Sequence, residues 1–560
     1  VSPGTTVQEV SMMARSTDAI AALFERAGIE TVFGFPCEQM DPYYASVDGS
    51  TVRHVLARSE ASAALMADGY ARASRTAGVV DGVSGPGAAY IGVGLCEAAG
   101  ASSPVVALTG GNDRETRGNG VIQDGDNEAI LDPFAEATFD AETPGRAVEA
   151  VENALRIATT GVPGPVHVNL PEDVMAGETD REPRDDVSGT YPRTRPAPDP
   201  DGLDAIGDLL AASDSPVIVA GEGVVRADAT DELTRFATAA DVPVVTSMNG
   251  KGAIAETDPH ALGVVGRWGF CQVANDALED ADLVLGFGTR FGELTSVGWS
   301  LVPEDVPLVH VDLDPAWLGR NYEPTVAVQA DLKATLDALA ETASGDADRA
   351  VRIERLVEDR ADWRAGFEAD LTSDETPVKP QRVVSELNER LPAEAVLVSA
   401  TSFPGFFSGA FYETERAGLS YLQARGSDGI NVCLPQALGV KTALPDRPIV
   451  ALSGDGGIGY HISDLETAVR EDLPITVVVT NNESLGSSKM SQLGTHSFDM
   501  STDFHDGVDY AQVARGFGCA GETIDDPERV GSAIEESLER DVPTLLDVRV
   551  DPYAAPPLLV

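Results

Sequence analysis

The feature that most constrains how this 560-residue chain can fold is a repeated alternation of short apolar runs with Ala-rich stretches of helical period. The runs end in Gly, Ser, Asn or Pro, which predicts parallel strands buried under helices on both faces. In a first block the pattern predicts helix 16–27, strands 30–34 and 52–57, helix 60–73, strand 79–83, helix 88–99, strand 104–109, helix 146–158 and strand 165–169. A polar, Pro-rich stretch from Glu182 to Pro200 then interrupts it as a linker would. A second block, about 203–345, carries strands 216–220, 243–246, 282–287 and 307–312. A charged segment without strand signals, about 346–377, precedes a third block with strands near 395–399, 448–453, 475–480 and 544–549. The expected fold is α/β with three Rossmann-like domains and mostly parallel sheets, at 12–181, 201–345 and 378–560, although no internal repeat is visible in the sequence itself. Residues 1–13 read as an untidy leader.

Charge narrows the partners. Arg and Lys number 39 against 91 Asp and Glu, a net charge of −52, and only 5 of the basic residues are Lys. Such a surface repels phosphate backbones and anionic lipid, so neither nucleic acid nor a membrane is an expected partner. The scattered acidity suits a protein kept soluble in high salt, where the Debye length shrinks to about 3 Å at molar ionic strength. The five cysteines are widely spaced and never form C-x-x-C, which gives neither a disulfide framework nor a zinc site. No secretory n-region and h-region opens the chain and no apolar run reaches 18 residues, so a cytoplasmic location is expected.

The most specific stretch is Ile449-Val-Ala-Leu-Ser-Gly454-Asp455-Gly456-Gly457, followed by a helical segment and then Pro474-Ile-Thr-Val-Val-Val-Thr-Asn481-Asn482. Read as a βαβ unit, it sets Asp455 and Asn482 just past the carboxyl ends of two parallel strands, facing the crevice where such sheets bind ligands. A carboxylate and an amide oxygen, joined by a backbone carbonyl and phosphate oxygens, are hard donors suited to octahedral Mg²⁺. Glycines beside Asp455 leave backbone N–H groups free to approach phosphates. Either piece alone reads better as an ordinary turn or a strand cap; the pairing and spacing carry the signal.

On these residues the chain resembles the thiamine-diphosphate enzymes, whose diphosphate motif is a GDG followed by an NN. The resemblance extends over Arg53–Arg72, with Glu60 inside it, to the loop Ser84-Gly-Pro-Gly87, to Gly161–Asp173, and to Gly286-Phe-Gly-Thr-Arg290 and His310-Val-Asp-Leu-Asp-Pro315, the last two being similar to the middle domain of the acetolactate synthase branch. It implies a pyrimidine-binding first domain, a central domain and a diphosphate-binding third domain, with Asp455, Asn482 and the backbone carbonyl of Ser484 on the metal and Gly454, Gly456 and Gly457 beside the diphosphate. It further implies that Glu60 is the carboxyl group that activates the aminopyrimidine, that Ile430 props the bent cofactor, that the backbone at Asp428 faces the aminopyrimidine, and that Gln123 points at the reacting centre. Taken without the motif, Glu60 is a first-turn helix residue capped by Ser59, Ile430 is core and Gln123 is an exposed loop residue. Active sites in this family form between subunits, so a homodimer or homotetramer is implied, with Glu60 from one chain and Asp455 from the other.

Departures fall on the substrate side. Where acetolactate synthases carry R-P-V-T-K, this chain has Asp132-Pro-Phe-Ala-Glu136; their acceptor-sorting tryptophan corresponds to Ser491, their early glycine pair to Cys37-Glu38, and their G-Q-H-Q segment to Ser402-Phe-Pro-Gly405. Two cations have become two anions, which disfavours an anionic oxo acid at that wall. Arg290 matches a flavin-contacting arginine and makes FAD a candidate third cofactor. His461 and His54 read as packed side chains. The expected activity is decarboxylation of a 2-oxo acid with carboligation, acetolactate synthase-like; the alternatives are a non-ligating 2-oxo-acid decarboxylase of the benzoylformate or indolepyruvate type and a catalytically silent cofactor-binding homologue.

Overall fold

The computed structural model describes residues 13–557, so the leader assigned to residues 1–13 lies outside the described residues except for its last member. Three six-stranded sheets organise the chain, and every strand pairing within them is parallel. The first sheet runs Arg53–Leu56, Thr31–Gly34, Gly78–Gly82, Val105–Gly111, Val166–Pro171, Ala137–Asp140. The third runs Tyr421–Gln423, Val396–Ser399, Ile449–Gly454, Thr476–Asn481, Thr544–Arg549, Ala520–Ile524. Numbered by appearance, both have the order 2-1-3-4-6-5, so the first and third domains share a topology that their sequences do not display. The central sheet runs Ala261–Val264, Val244–Thr246, Pro216–Ala220, Leu283–Phe287, Leu308–Asp312, Val326–Gln329, the 3-2-1-4-5-6 order of dinucleotide-binding folds.

Inner strands such as Val105–Gly111 and Pro216–Ala220 are buried at every position, which is why they read as continuous apolar runs. The covering helices bury one stripe each: Pro144–Thr159 buries Val148, Val151 and Leu155, and Pro380–Arg390 buries Val383, Val384 and Leu387. The segment 346–377, featureless to a strand search, holds the helix Ala347–Ala365. It is charged because it buries little more than Ile353 and Arg349, and it is anchored by Trp363, whose ring stacks on Phe411 at 5.8 Å. The stretch expected as a linker has no helix before Pro200, yet it is pinned: the Tyr191 hydroxyl donates to the Ala71 carbonyl at 2.9 Å and Ala77 N–H donates to Gly189 at 2.7 Å. Of the described residues, 13–71 and 75–193 form one compact unit, and 72–74 with 194–557 form the second.

Within the second unit a buried ion pair ties the central sheet's loops to the third domain. Lys251 Nζ reaches both Glu256 carboxylate oxygens at 2.7 and 2.6 Å and donates to the Gly409 carbonyl, while Thr414 N–H donates to Glu256. Among the described residues no helix is long and apolar enough to cross a membrane.

Candidate functional site

In the third sheet the chain order reverses beside Val396–Ser399, whose neighbours are Tyr421–Gln423 on one side and Ile449–Gly454 on the other. Loops leaving the carboxyl ends of two strands diverge there, and divergence opens a crevice. A cleft lies at this place, lined by Thr401, Ser402, Ile430, Gly454–Gly457, Asn482 and Ser484 among others. Asp455 begins the helix Asp455–His461 directly after its strand and is only 3% exposed. Burial pushes its carboxyl up to about 7, and backbone N–H groups including those of Gly456, Ser484 and Asn482 only partly offset this. One oxygen, Oδ2, has no hydrogen-bond partner, and neither has the buried Ser484 hydroxyl on the same cleft. Asn482 lies one residue past its strand and its Oδ1 accepts from Ser484 N–H at 3.2 Å.

An orphaned carboxylate oxygen in a dry crevice is a costly arrangement for a protein alone and an ordinary one for a protein that holds a cation. Carboxylate, amide and carbonyl oxygens form the donor set that Mg²⁺ takes, completed by phosphate. Among the described residues no cluster of three or more His, Cys, Asp or Glu side chains offers an alternative metal site. Ile430 borders the same cleft, and its carbonyl lies so near Gly457 that a Cβ there would sit 2.6 Å away. Asp428 stands outside the lining: it is exposed, at φ +59°, its carboxylate is held by Arg425 at 3.1 Å and its carbonyl accepts from Thr401 at 3.3 Å.

The first domain carries Glu60 at a corresponding reversal, beside Thr31–Gly34. Ser59 caps the helix Glu60–Ser74 by accepting from Ser62 N–H, which sets Glu60 in the first turn. Its side chain fills space that two glycines leave open: a Cβ on Gly82 would come 3.0 Å from Glu60 Cγ, and one on Gly87 3.0 Å from Oε1. Glu60 is 8% exposed and its carboxyl is held above the usual carboxylate range, first by burial and then by the nearby charge of Asp81.

Gln123 lies on the loop facing Ser84–Gly87, at φ +57°, with its carbonyl accepting from Asn112 at 3.2 Å and its side chain exposed. A polar network that the sequence did not reveal fixes this loop. Asn127 Oδ1 accepts from Gly85 N–H and its Nδ2 donates to Gly110 and to Asn169, while Gln39 links Ser84 N–H to Asn112. Isolated asparagines and a glutamine have no spacing signature, so only the fold assembles them. Ser402, at φ +66° and ψ −148°, occupies a region normally left to glycine, and it lines the cleft beside Asp455. Of the altered substrate-side residues, Asp132, Glu136 and Ser491 are exposed. Arg290 is stacked on Trp317 at 4.8 Å, so the side chain matched to a flavin contact is already on an aromatic ring of its own chain.

Three family models match the chain in order: the thiamine pyrophosphate enzyme N-terminal TPP binding domain over 14–130, the central domain over 203–339 and the C-terminal TPP binding domain over 406–548. A probable acetolactate synthase large subunit of Methanocaldococcus jannaschii is 31% identical across 97% of this chain and 93% of its own length. A glyoxylate carboligase of Escherichia coli O157:H7 is 30% identical across 95% and 93%, and acetolactate synthase isozyme 2 large subunit of Escherichia coli K12 is 29% identical across 94% and 93%. With three matching domains, parallel sheets in each and full-length relatives, this chain is a member of the thiamine pyrophosphate enzyme family, in the company of acetolactate synthase large subunits.

Proposed function

We propose that this enzyme uses thiamine diphosphate and Mg²⁺ to decarboxylate a 2-oxo acid and to ligate the remaining fragment to a second oxo substrate. The observation that carries the cofactor side is the partnerless Asp455 oxygen in the crevice beside Gly454–Gly457. Asp455, Asn482 and the Ser484 carbonyl would hold the metal, Gly454, Gly456 and Gly457 would lie beside the diphosphate, Ile430 would support the bend and the Asp428 backbone would face the aminopyrimidine. When bound, thiamine diphosphate would supply a nucleophilic carbon and, attached to it, a cationic thiazolium ring able to accept the electron pair released by decarboxylation. Glu60, whose carboxyl burial holds above the usual carboxylate range, would share a proton between its carboxyl oxygen and the aminopyrimidine nitrogen. Gln123 orients the reacting oxo group from the loop above Ser84–Gly87. FAD, where present, would occupy the central sheet without taking part in proton transfer at Glu60, and the visible absorption of purified protein reads its content. The working form is a cytoplasmic homodimer or homotetramer.

Ligation is supported by relatives across nearly the whole chain whose names denote it, acetolactate synthase and glyoxylate carboligase. A second reading, aldehyde release without ligation, is favoured by the acidic Asp132–Glu136 stretch and by Ser491. Protein loaded with thiamine diphosphate and Mg²⁺ in molar KCl, supplied with a panel of 2-oxo acids, separates them: a ligated hydroxy-oxo product is expected. CO₂ with free aldehyde alone would replace the first reading by the second. Bound cofactor whose C2 proton does not exchange would leave only a silent homologue.

A further inference from the structure

Glu60 is backed by a second buried carboxyl group. Asp81, penultimate in the strand Gly78–Gly82, is wholly buried and accepts from the Tyr44 hydroxyl at 2.9 Å and from His54 Nε2 at 3.0 Å. Its register partner on the next strand is Gly34, where a Cβ would collide with the Asp81 carboxylate. The next residue along, Gly82, is the one that lies against Glu60. Asp81 and Gly82 turn to opposite faces of this strand, so Asp81 stands across the strand from Glu60, near enough for its charge to act on the Glu60 carboxyl. Among the described residues Tyr43, Tyr44 and Cys37 also feel the charge of Asp81, and none of these three is cationic. Burial pushes the Cys37 thiol up to about 11, with Asp81 and Glu60 adding to it, so it stays neutral.

We propose that His54 and Asp81 form a positioning pair that governs the charge of Glu60 from within the sheet. The pair deepens the reading of Glu60 as the cofactor-facing acid, although its electrostatic effect exists in the apoprotein. A buried carboxylate disfavours ionisation of a second one nearby, and an imidazole ring nitrogen held against that carboxylate, as His54 Nε2 is, offsets part of its charge. Removing Asp81 should ease ionisation of Glu60; removing His54 should hinder it. Lost packing cannot produce opposite shifts from two partners of one contact.

The test follows the carboxyl infrared band that disappears in Glu60→Gln, as a function of pH, in apoprotein of wild type, Asp81→Asn and His54→Gln. The expected result is a midpoint lowered by about one pH unit in Asp81→Asn and raised in His54→Gln. Unchanged midpoints, or shifts in the same direction, would overturn the proposal. Should Asp81→Asn not fold, His54→Gln decides alone: a rise supports the pair, and no change or a fall rejects it. Because the titration needs no cofactor, expected shifts in a protein that fails to bind thiamine diphosphate would support the pair while removing the functional reading.

Discussion

Replacing Asp455 by Asn should make the cofactor-free protein more stable at neutral pH while removing its response to divalent cations. Burial raises the Asp455 carboxyl from its ordinary 3.8 to about 7. That difference is about three pH units, and each unit corresponds to about 1.36 kcal/mol, giving a ceiling of about 4 kcal/mol. Because the folded value lies above the unfolded one, the contribution is fully present below about pH 4 and is lost as the pH rises through about 7. Wild-type apoprotein should therefore weaken across that window, and a cation that pairs with the carboxylate should restore it. Asn is nearly isosteric and does not titrate, so the variant should lack this part of the pH dependence. For a domain of this size each kcal/mol moves Tm by about 2–4 °C, so thermal scans of apoprotein between pH 4 and 8, with and without Mg²⁺, resolve the effect. Identical pH dependence in both proteins, or an undiminished Mg²⁺ response in Asp455→Asn, would refute the reasoning.

Other perturbations address separate links. Glu60→Gln should reduce turnover and C2 proton exchange by at least about 100-fold, the usual size of a general acid–base contribution, while leaving cofactor affinity within a few-fold by titration calorimetry; unchanged exchange would reject Glu60 as activator. Lys251→Met leaves Glu256 buried without its cation and should destabilise the second unit by about 3–5 kcal/mol, whereas Lys251→Met with Glu256→Leu should recover most of that in denaturant unfolding; equal loss in the double variant would contradict this. Gly457→Ala places a methyl group against the Ile430 carbonyl and should weaken cofactor binding at least tenfold with little change in helix content; wild-type affinity would show that the turn yields freely. Raising KCl from dilute buffer to molar concentration should raise Tm by screening the net −52 charge; an unchanged or falling Tm would reject the high-salt reading.

How far the fold was legible follows from where each strand sits. Strands such as Pro216–Ala220 and Thr544–Arg549 lie inside their sheets and their apolar runs predict them to within a residue. Five of the six edge strands gave no such signal. Ala137–Asp140 and Val326–Gln329 are half-exposed, Ala520–Ile524 is mostly so, the apolar run of Ala261–Val264 is broken by Gly263, and Tyr421–Gln423 ends on a polar Gln423. The helix Pro86–Ala101 starts before the predicted 88–99 because Pro86 is a favourable first-turn residue that reads in sequence as part of the glycine loop. On the site, Asp455 and Asn482 were legible because a βαβ unit converts their spacing into proximity. Asp81, Tyr44, Asn127 and Asn169 were not, since they are joined by hydrogen bonds between residues tens of positions apart. The one trace of Asp81 was a charge inside the apolar run of a buried strand, which sequence alone does not pair with His54.

The most direct test of the account is calorimetric titration of thiamine diphosphate into intact wild-type and Asp455→Ala protein, each with Mg²⁺ and with a chelator. The account predicts tight binding by wild type that needs the cation, and loss of both cation dependence and affinity in the variant. Tight binding by Asp455→Ala in chelator would contradict it.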